Sequence, residues 1–223
     1  MSQIYLPSTG PECWKRLLAK PDLHWEPGYS AHTLAHCWEA ARGLPPEIER
    51  LFRPTLGEVE LLLALPEHKV PLPGGGADSQ SDVFALVRTE SGLASCTIEG
   101  KVDEPFGPTV GKWLEDASPG KRQRLSFLCG LLGLAEPAPA HIRYQLLHRT
   151  ASALIEADRF HASTAAMIVH SFSPTRSWFD DFAGFAELMG AAPHADRLTG
   201  VTAVTSKPLY LGWASGDQAF LSI

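Results

Sequence analysis

A chain of 223 residues with 44% hydrophobic and 20% charged side chains can bury one substantial core, so a single domain of α/β or α+β type over residues 1–223 is expected. Its formal charge of −6 argues against a general nucleic-acid coat, whose affinity would rest on a broad cationic surface, while leaving room for a local basic groove or a protein partner. No apolar run approaches the roughly eighteen residues that cross a bilayer, and the first seven residues lack the basic and apolar regions of a secretory signal, so no membrane partner is expected and the chain reads as cytoplasmic.

Residues 1–54 read as a helical extension ahead of an α/β core at 55–223. Its helices are expected at Pro11–Ala19 and Ser30–Ala41, with Ser30 as N-cap and Gly43 as stop. His32 and His36 have the i, i+4 spacing that lets two imidazoles share zinc, but Thr33 stands where a zinc protease needs glutamate. Residues 58–72 give either a first strand around Val59–Leu65 or a short helix, which periodicity does not decide. Pro71–Ala77 is a loop, and a hairpin follows over 80–101. Beyond it come a short helix near Val110–Ala117 and a helix with Ser118 as N-cap, Pro119 in its first turn and Gly133 past its end. A further helix is expected over 142–158, then a buried strand at Thr164–Phe172, a helix opened by Ser173-Pro174 and running through Met189, and a last strand at Pro208–Trp213. The four cysteines are widely spaced with no Cys-x-x-Cys, which predicts free, buried thiols.

The hairpin carries the chemistry. Residues two apart on a strand share a face, so Glu99 and Lys101 project together while Gly100 turns away. If Thr89 pairs with Gly92, Asp82 falls opposite Glu99 and two carboxylates come close enough to share a cation. A three-residue loop at Glu90-Ser91-Gly92 would instead shift the register by one and set Asp82 opposite Gly100. A divalent ion with a lysine beside it is the chemistry that the first register implies.

Asp82, sixteen intervening residues and then Glu99-Gly100-Lys101 resemble the PD-(D/E)xK nuclease-like superfamily, although Ser81 stands where that pattern has proline. The text from Pro66 to Lys69, from Glu99 to Gly107 and from Tyr144 to Thr150 also resembles an uncharacterised bacterial family spanning nearly the whole chain. The superfamily resemblance implies a restriction-endonuclease-like core, a mixed sheet flanked by helices in α-β-β-β-α-β order. It implies that Asp82, Glu99 and the Gly100 carbonyl bind Mg²⁺ or Mn²⁺, and that Lys101 orients or helps deprotonate the attacking water in hydrolysis of DNA or RNA.

Further candidates surround the motif. Glu67, just after the first strand, could add an acid or be a surface glutamate beside His68 and Lys69, and Glu39 on the early helix has the same two readings. The helix at 142–158 lines up Gln145, His148, Arg149, Ser152 and Glu156 along one side, either to grip phosphate and bond the lysine or as a solvated stripe. Lys112, Lys121, Arg122 and Arg124 form a local basic cluster that suits a solvated helix face or a phosphate backbone. His170 reads either as a hydrogen-bonded core histidine or as a residue that reaches a site at the sheet's edge. No nucleotide-cradling glycine motif or Gly-x-Ser-x-Gly elbow is present. Two functions therefore stand at the sequence level: a Mg-dependent phosphodiesterase, and a catalytically inactive binding module on the same fold.

Overall fold

The computed structural model describes residues 8–18, 22 and 25–223. A six-stranded mixed sheet in the order β1-β2-β3-β4-β6-β5 is built from β1 (Glu60–Val70), β2 (Ser79–Thr89), β3 (Gly92–Lys101), β4 (Thr164–Ser171), β5 (Arg197–Gly200) and β6 (Leu209–Ser215). Strands β1, β2 and β3 form an antiparallel meander, β3, β4 and β6 run parallel, and β5 returns antiparallel to β6. Helices α1 (Glu12–Lys15), α2 (Ser30–Ala41) and α3 (Pro46–Leu56) cover one face. The other face carries α4 (Val110–Trp113), α5 (Pro119–Leu132), α6 (Tyr144–Arg159) and α7 (Phe179–Leu188). The segment expected as an extension is thus one of two layers, since Trp14, Leu34, Trp38 and Phe52 share a core with Val83, Ile98 and Ile168.

Strand β4 is buried along its whole length because it has a parallel neighbour on each side and helices on both faces. Its alternation divides it: Ala165, Met167 and Val169 join the core beneath α5 to α7, and Ala166 and Ile168 face α2 and α3. On β3 the face toward α6 is polar, and it is satisfied by helix carbonyls: Ser95 Oγ donates to Ala153 O at 2.9 Å and Thr97 Oγ1 to Arg149 O at 2.9 Å. These two bonds lock α6 over the end of β3 that bears Glu99 and Lys101.

Several boundaries differ from expectation for identifiable reasons. The ambiguous 58–72 segment is a strand because β2 pairs with it from Leu61↔Val87 to Val70↔Ser79, and Pro66 is tolerated because β1 is an edge strand. The first helix is described only over Glu12–Lys15, and Ala19 lies outside the described residues. Helix α2 starts at Ser30 with Tyr29 in the N-cap place, and it ends where Arg42, not Gly43, turns left-handed at φ 51°. The expected helix from Ser173 begins only at Phe179. Ser173 Oγ takes the Ser177 N–H at 3.1 Å and donates toward Asp103, so local side-chain bonds replace the first helical turns. The four-residue edge strand β5 was not expected; pairing with β6 creates it. Helix α5 matches its signals, with Ser118 Oγ accepting from Lys121 N at 3.2 Å and Gly133 left-handed at φ 66°.

Candidate metal and phosphodiester site

The hairpin turn pairs Thr89 with Gly92, so the three-residue alternative is not adopted. Pairing of β2 with β3 then runs to Val83↔Ile98 and stops. One step further along the same register lie Asp82 and Glu99. Strand β1 pairs Pro66 with Val83 and His68 with Ser81, which brings Glu67 into the same row. Three acids on three adjacent strands therefore stand in one row where the sheet opens, spaced more widely than three ligand atoms within 4.8 Å of one another. The Asp82 carboxylate fills that opening, since its Oδ2 accepts from Gly100 N at 2.7 Å in place of a backbone partner on β2. A strand residue turns its N–H and C=O to the same side, so the Gly100 carbonyl faces the Asp82 side too. A side chain at position 100 would crowd this arrangement, because a Cβ there would lie 3.1 Å from Leu34 Cδ2 and 3.4 Å from Asp82 Oδ2. Glu67 sits in a left-handed conformation, φ 52°, which costs a non-glycine residue on the order of 1–3 kcal/mol and breaks the burial alternation of β1.

Glu99 is the hub. Its Oε1 accepts from Lys101 Nζ at 2.6 Å and from Gln145 Nε2 at 2.6 Å, and its Oε2 accepts from Arg149 Nε at 2.6 Å. Glu99, Lys101 and Arg149 are only 2%, 4% and 7% exposed, whereas Glu67, Asp82 and Gln145 are half-buried and form the open side. Gln145 is itself held by the Gly107 N–H at 3.1 Å, and the Lys101 ammonium stands 5.0 Å over the Phe106 ring. The stripe on α6 therefore faces the sheet and not solvent: Gln145 and Arg149 reach Glu99, and Glu156 stands 3.3 Å from His68.

Charge in this enclosure sorts the three acids. Burial pushes the Glu99 carboxyl up, but the Lys101 ammonium and Arg149 guanidinium outweigh it and hold the group at about 2. Burial drives Asp82 well above the usual carboxylate range, and the charges of Glu99 and Glu67 add to that against the opposing pull of Lys101 and Arg149. Burial likewise raises Glu67 to about 7, with Gln80 Nε2 donating to it at 2.5 Å. The row thus holds one firmly ionised carboxylate and two that hold their protons more tightly than a free carboxylate does. Such a row gives up protons when a cation arrives.

The hydrogen-bond inventory fits an oxygen-ligated ion. A carboxylate has about four lone-pair sites, of which the three bonds to Glu99 use three. Asp82, Glu99 and the Gly100 carbonyl supply hard oxygen donors, the set that magnesium and manganese take. The row is more open than a closed cage, for among the described residues the one set of three histidine, cysteine or acidic ligand atoms within 4.8 Å of one another is Cys37, Glu47 and His170.

That second cluster is better explained by hydrogen bonds. The Trp38 indole, a donor only, points at His170 Nδ1 at 3.4 Å, so this nitrogen accepts and Nε2 carries the hydrogen given to Glu47 Oε1 at 2.8 Å. A metal on Nε2 would move the hydrogen to Nδ1, against the indole N–H. Burial pushes the Cys37 thiol up, and Cys37 donates to Glu47. The network joins α2, α3 and the end of β4, as expected of a core histidine.

Other expectations fall elsewhere. Glu39 is far from the acid row in its bonding, accepting from Trp14 Nε1 at 2.7 Å and from Ser8. The His32 and His36 rings lie tilted against each other with centroids 4.4 Å apart, and His32 packs edge-on to Trp25. All four cysteines are free; Cys37, Cys96 and Cys129 are buried as expected, whereas Cys13 is half-buried. The residues that sequence reasoning passed over are Ser79 and Gln80. Ser79 Oγ lies 2.8 Å from His148 Nδ1 and accepts from Arg149 at 3.4 Å, and Gln80 holds Glu67. The only signal in the sequence is that Gln80 precedes Asp82 by two positions on one strand.

Neither a curated protein nor a solved structure matches the chain. A family model described as a domain of unknown function, DUF6946, matches residues 7–218, and the chain belongs to that family.

Proposed function

We propose that this protein is a metal-dependent phosphodiesterase acting on DNA or RNA, with Asp82, Glu99 and the Gly100 carbonyl as ligands of Mg²⁺ or Mn²⁺ and Lys101 as the residue that orients the attacking water. The observation that carries the reading is the row of Glu67, Asp82 and Glu99 across three strands, with Lys101 two residues beyond the last acid. The α-β-β-β-α-β order, taken over α3, β1 to β3, α6 and β4, supports a restriction-endonuclease-like core. When bound, the ion polarises a phosphodiester and lowers the pKa of water. Arg149 and Gln145 fix the Glu99 carboxylate, so one of its oxygens is presented in a single orientation. On this reading Glu67, raised by burial to about 7, is the acid of the row that exchanges a proton at neutral pH.

The test is cleavage of mixed single-stranded and duplex DNA and RNA in Mg²⁺ or Mn²⁺. Cleavage should vanish with EDTA, and Lys101→Ala should keep metal binding while turnover falls by about 10²–10⁴-fold. Equal cleavage by wild type and Lys101→Ala would refute the assignment. One observation favours a second reading, a nuclease-like binding module without catalysis: Lys101 and Arg149 already neutralise Glu99 and are buried with it. Absence of cleavage on every substrate would select that module, with a protein partner for its acidic surface.

A further inference from the structure

Across Ser79 from the acid row lies a cavity of about 420 Å³, within the roughly 300–1,000 Å³ range of small-molecule sites. Its walls are the Gly74–Gly76 loop, the start of α5, and the side chains of Trp113, Tyr144 and His148. Gly74, Gly75 and Gly76 have φ of 86°, 72° and 79°, and the loop backbone packs directly on Gly120, where a Cβ at either Gly74 or Gly120 would lie 2.1 Å from the other's carbonyl. This turn aims carbonyls at Arg124. The Arg124 guanidinium donates to Pro73 O at 2.9 Å, Ala77 O at 2.7 Å and Leu72 O at 3.3 Å, and also to Gly75 O.

The cavity wall consequently carries two cations whose bonds go to carbonyls and to no carboxylate among the described residues. Arg124 is bonded by peptide dipoles, and Lys121 Nζ by the Trp113 carbonyl at 2.7 Å while it stands 5.3 Å over that ring; neither pairs with an acid among the described residues. His148 adds a neutral donor. Arginine can only donate, so the approach of Arg149 at 3.4 Å and the Ser79 hydroxyl at 2.8 Å makes His148 Nδ1 the acceptor and leaves the hydrogen on Nε2. Burial and then the neighbouring Arg149 charge hold that ring well below the usual histidine range, hence neutral. The Tyr144 hydroxyl is buried in the same wall, beside the Arg124 guanidinium. Against these donors stands Asp78, exposed on the rim.

A cavity of nucleotide size lined by donors and two unpaired cations suits a ligand rich in acceptors and negative charge. We propose that it binds a nucleoside monophosphate unit, the nucleotide next to the phosphodiester bond at the acid row; the identity of that unit rests on the phosphodiesterase reading. Arg149 connects the two places, since it donates to Glu99 from Nε and to Ser79 from Nη1. Calorimetric titration of the full chain in EDTA with thymidine 5′-monophosphate, thymidine and inorganic phosphate tests this. The monophosphate should bind at least tenfold tighter than the nucleoside and be displaced by phosphate. Lys121→Gln should weaken it about tenfold, the loss expected for one charge-assisted bond, and Arg122→Gln, on the exposed side of α5, should leave it unchanged. Equal affinity for nucleotide and nucleoside, no binding of either, or equal losses in the two variants would overturn the proposal. Asp82→Asn separates the two readings because it should retain nucleotide binding and abolish cleavage. A protein that cleaves without binding the monophosphate retires the cavity alone; one that binds it without cleaving retains the cavity and retires the phosphodiesterase.

Discussion

Replacing Glu67 by glutamine isolates the energetic effect of packing three acids into one row. In the unfolded chain a glutamate releases its proton near 4.5, whereas folded Glu67 keeps it to about 7, because burial and then the Glu99 charge oppose ionisation. Between these values the folded state binds more protons than the unfolded state. The sign follows: stability is highest below about 4.5, falls as pH rises toward 7, and levels off above. At about 1.4 kcal/mol per unit, the difference between 4.5 and 7 corresponds to about 3 kcal/mol, which Glu67→Gln should abolish while its carbonyl keeps the Gln80 bond. Urea denaturation of both proteins at pH 5, 6, 7 and 8, without divalent ions, reads the effect. The variant should be close to wild type at pH 5 and more stable than wild type by up to about 3 kcal/mol at pH 8. Parallel stability curves across that range would show that Glu67 is not held in a charged enclosure and would remove it from the site.

Manganese should bind more tightly as pH rises from 5.5 to 8 and should release protons as it does, because Asp82 and Glu67 both hold protons above the ordinary carboxylate range. Titration in two buffers of different ionisation enthalpy measures the release; binding that is independent of pH, or that survives in Asp82→Asn, would place the ion elsewhere. Arg149→Met leaves Glu99 buried with one cation and should destabilise the fold by about 3–5 kcal/mol, with partial recovery in Arg149→Lys; a loss below about 1 kcal/mol would contradict the hub role of Glu99. Acid should unfold the protein through Glu99: its stabilisation is complete above about 4.5 and is lost as pH falls toward about 2, a limb that should flatten in Arg149→Met.

The parts of the site that were legible in the sequence are those set by local periodicity. Glu99 and Lys101 share a face because they are two apart on a strand, and Gln145 and Arg149 share a face because they are four apart on a helix. Local spacing does not say which way a helix face turns. The α6 stripe reads equally as solvated, and its direction was decided by Ser95 and Thr97 bonding the carbonyls of Ala153 and Arg149. The basic cluster divides for the same reason: Lys112 and Arg122 are exposed, while Arg124 is 8% exposed and caged by loop carbonyls.

What the sequence by itself determined is the α/β class, the hairpin with its Asp82 and Glu-x-Lys motif, and helix α5 with both of its caps. Each rests on contacts within a few residues, although the turn allowed two registers and only the pairing of Thr89 with Gly92 chose between them. What only the tertiary structure decided is the contribution of Glu67, the opening of the sheet filled by Asp82, the inward face of α6, the edge strand β5 and the late start of α7. These depend on pairings and packing between segments distant in the chain, where the free energy lies in burial and in charges brought together from separate elements, and local pattern carries no record of such partners.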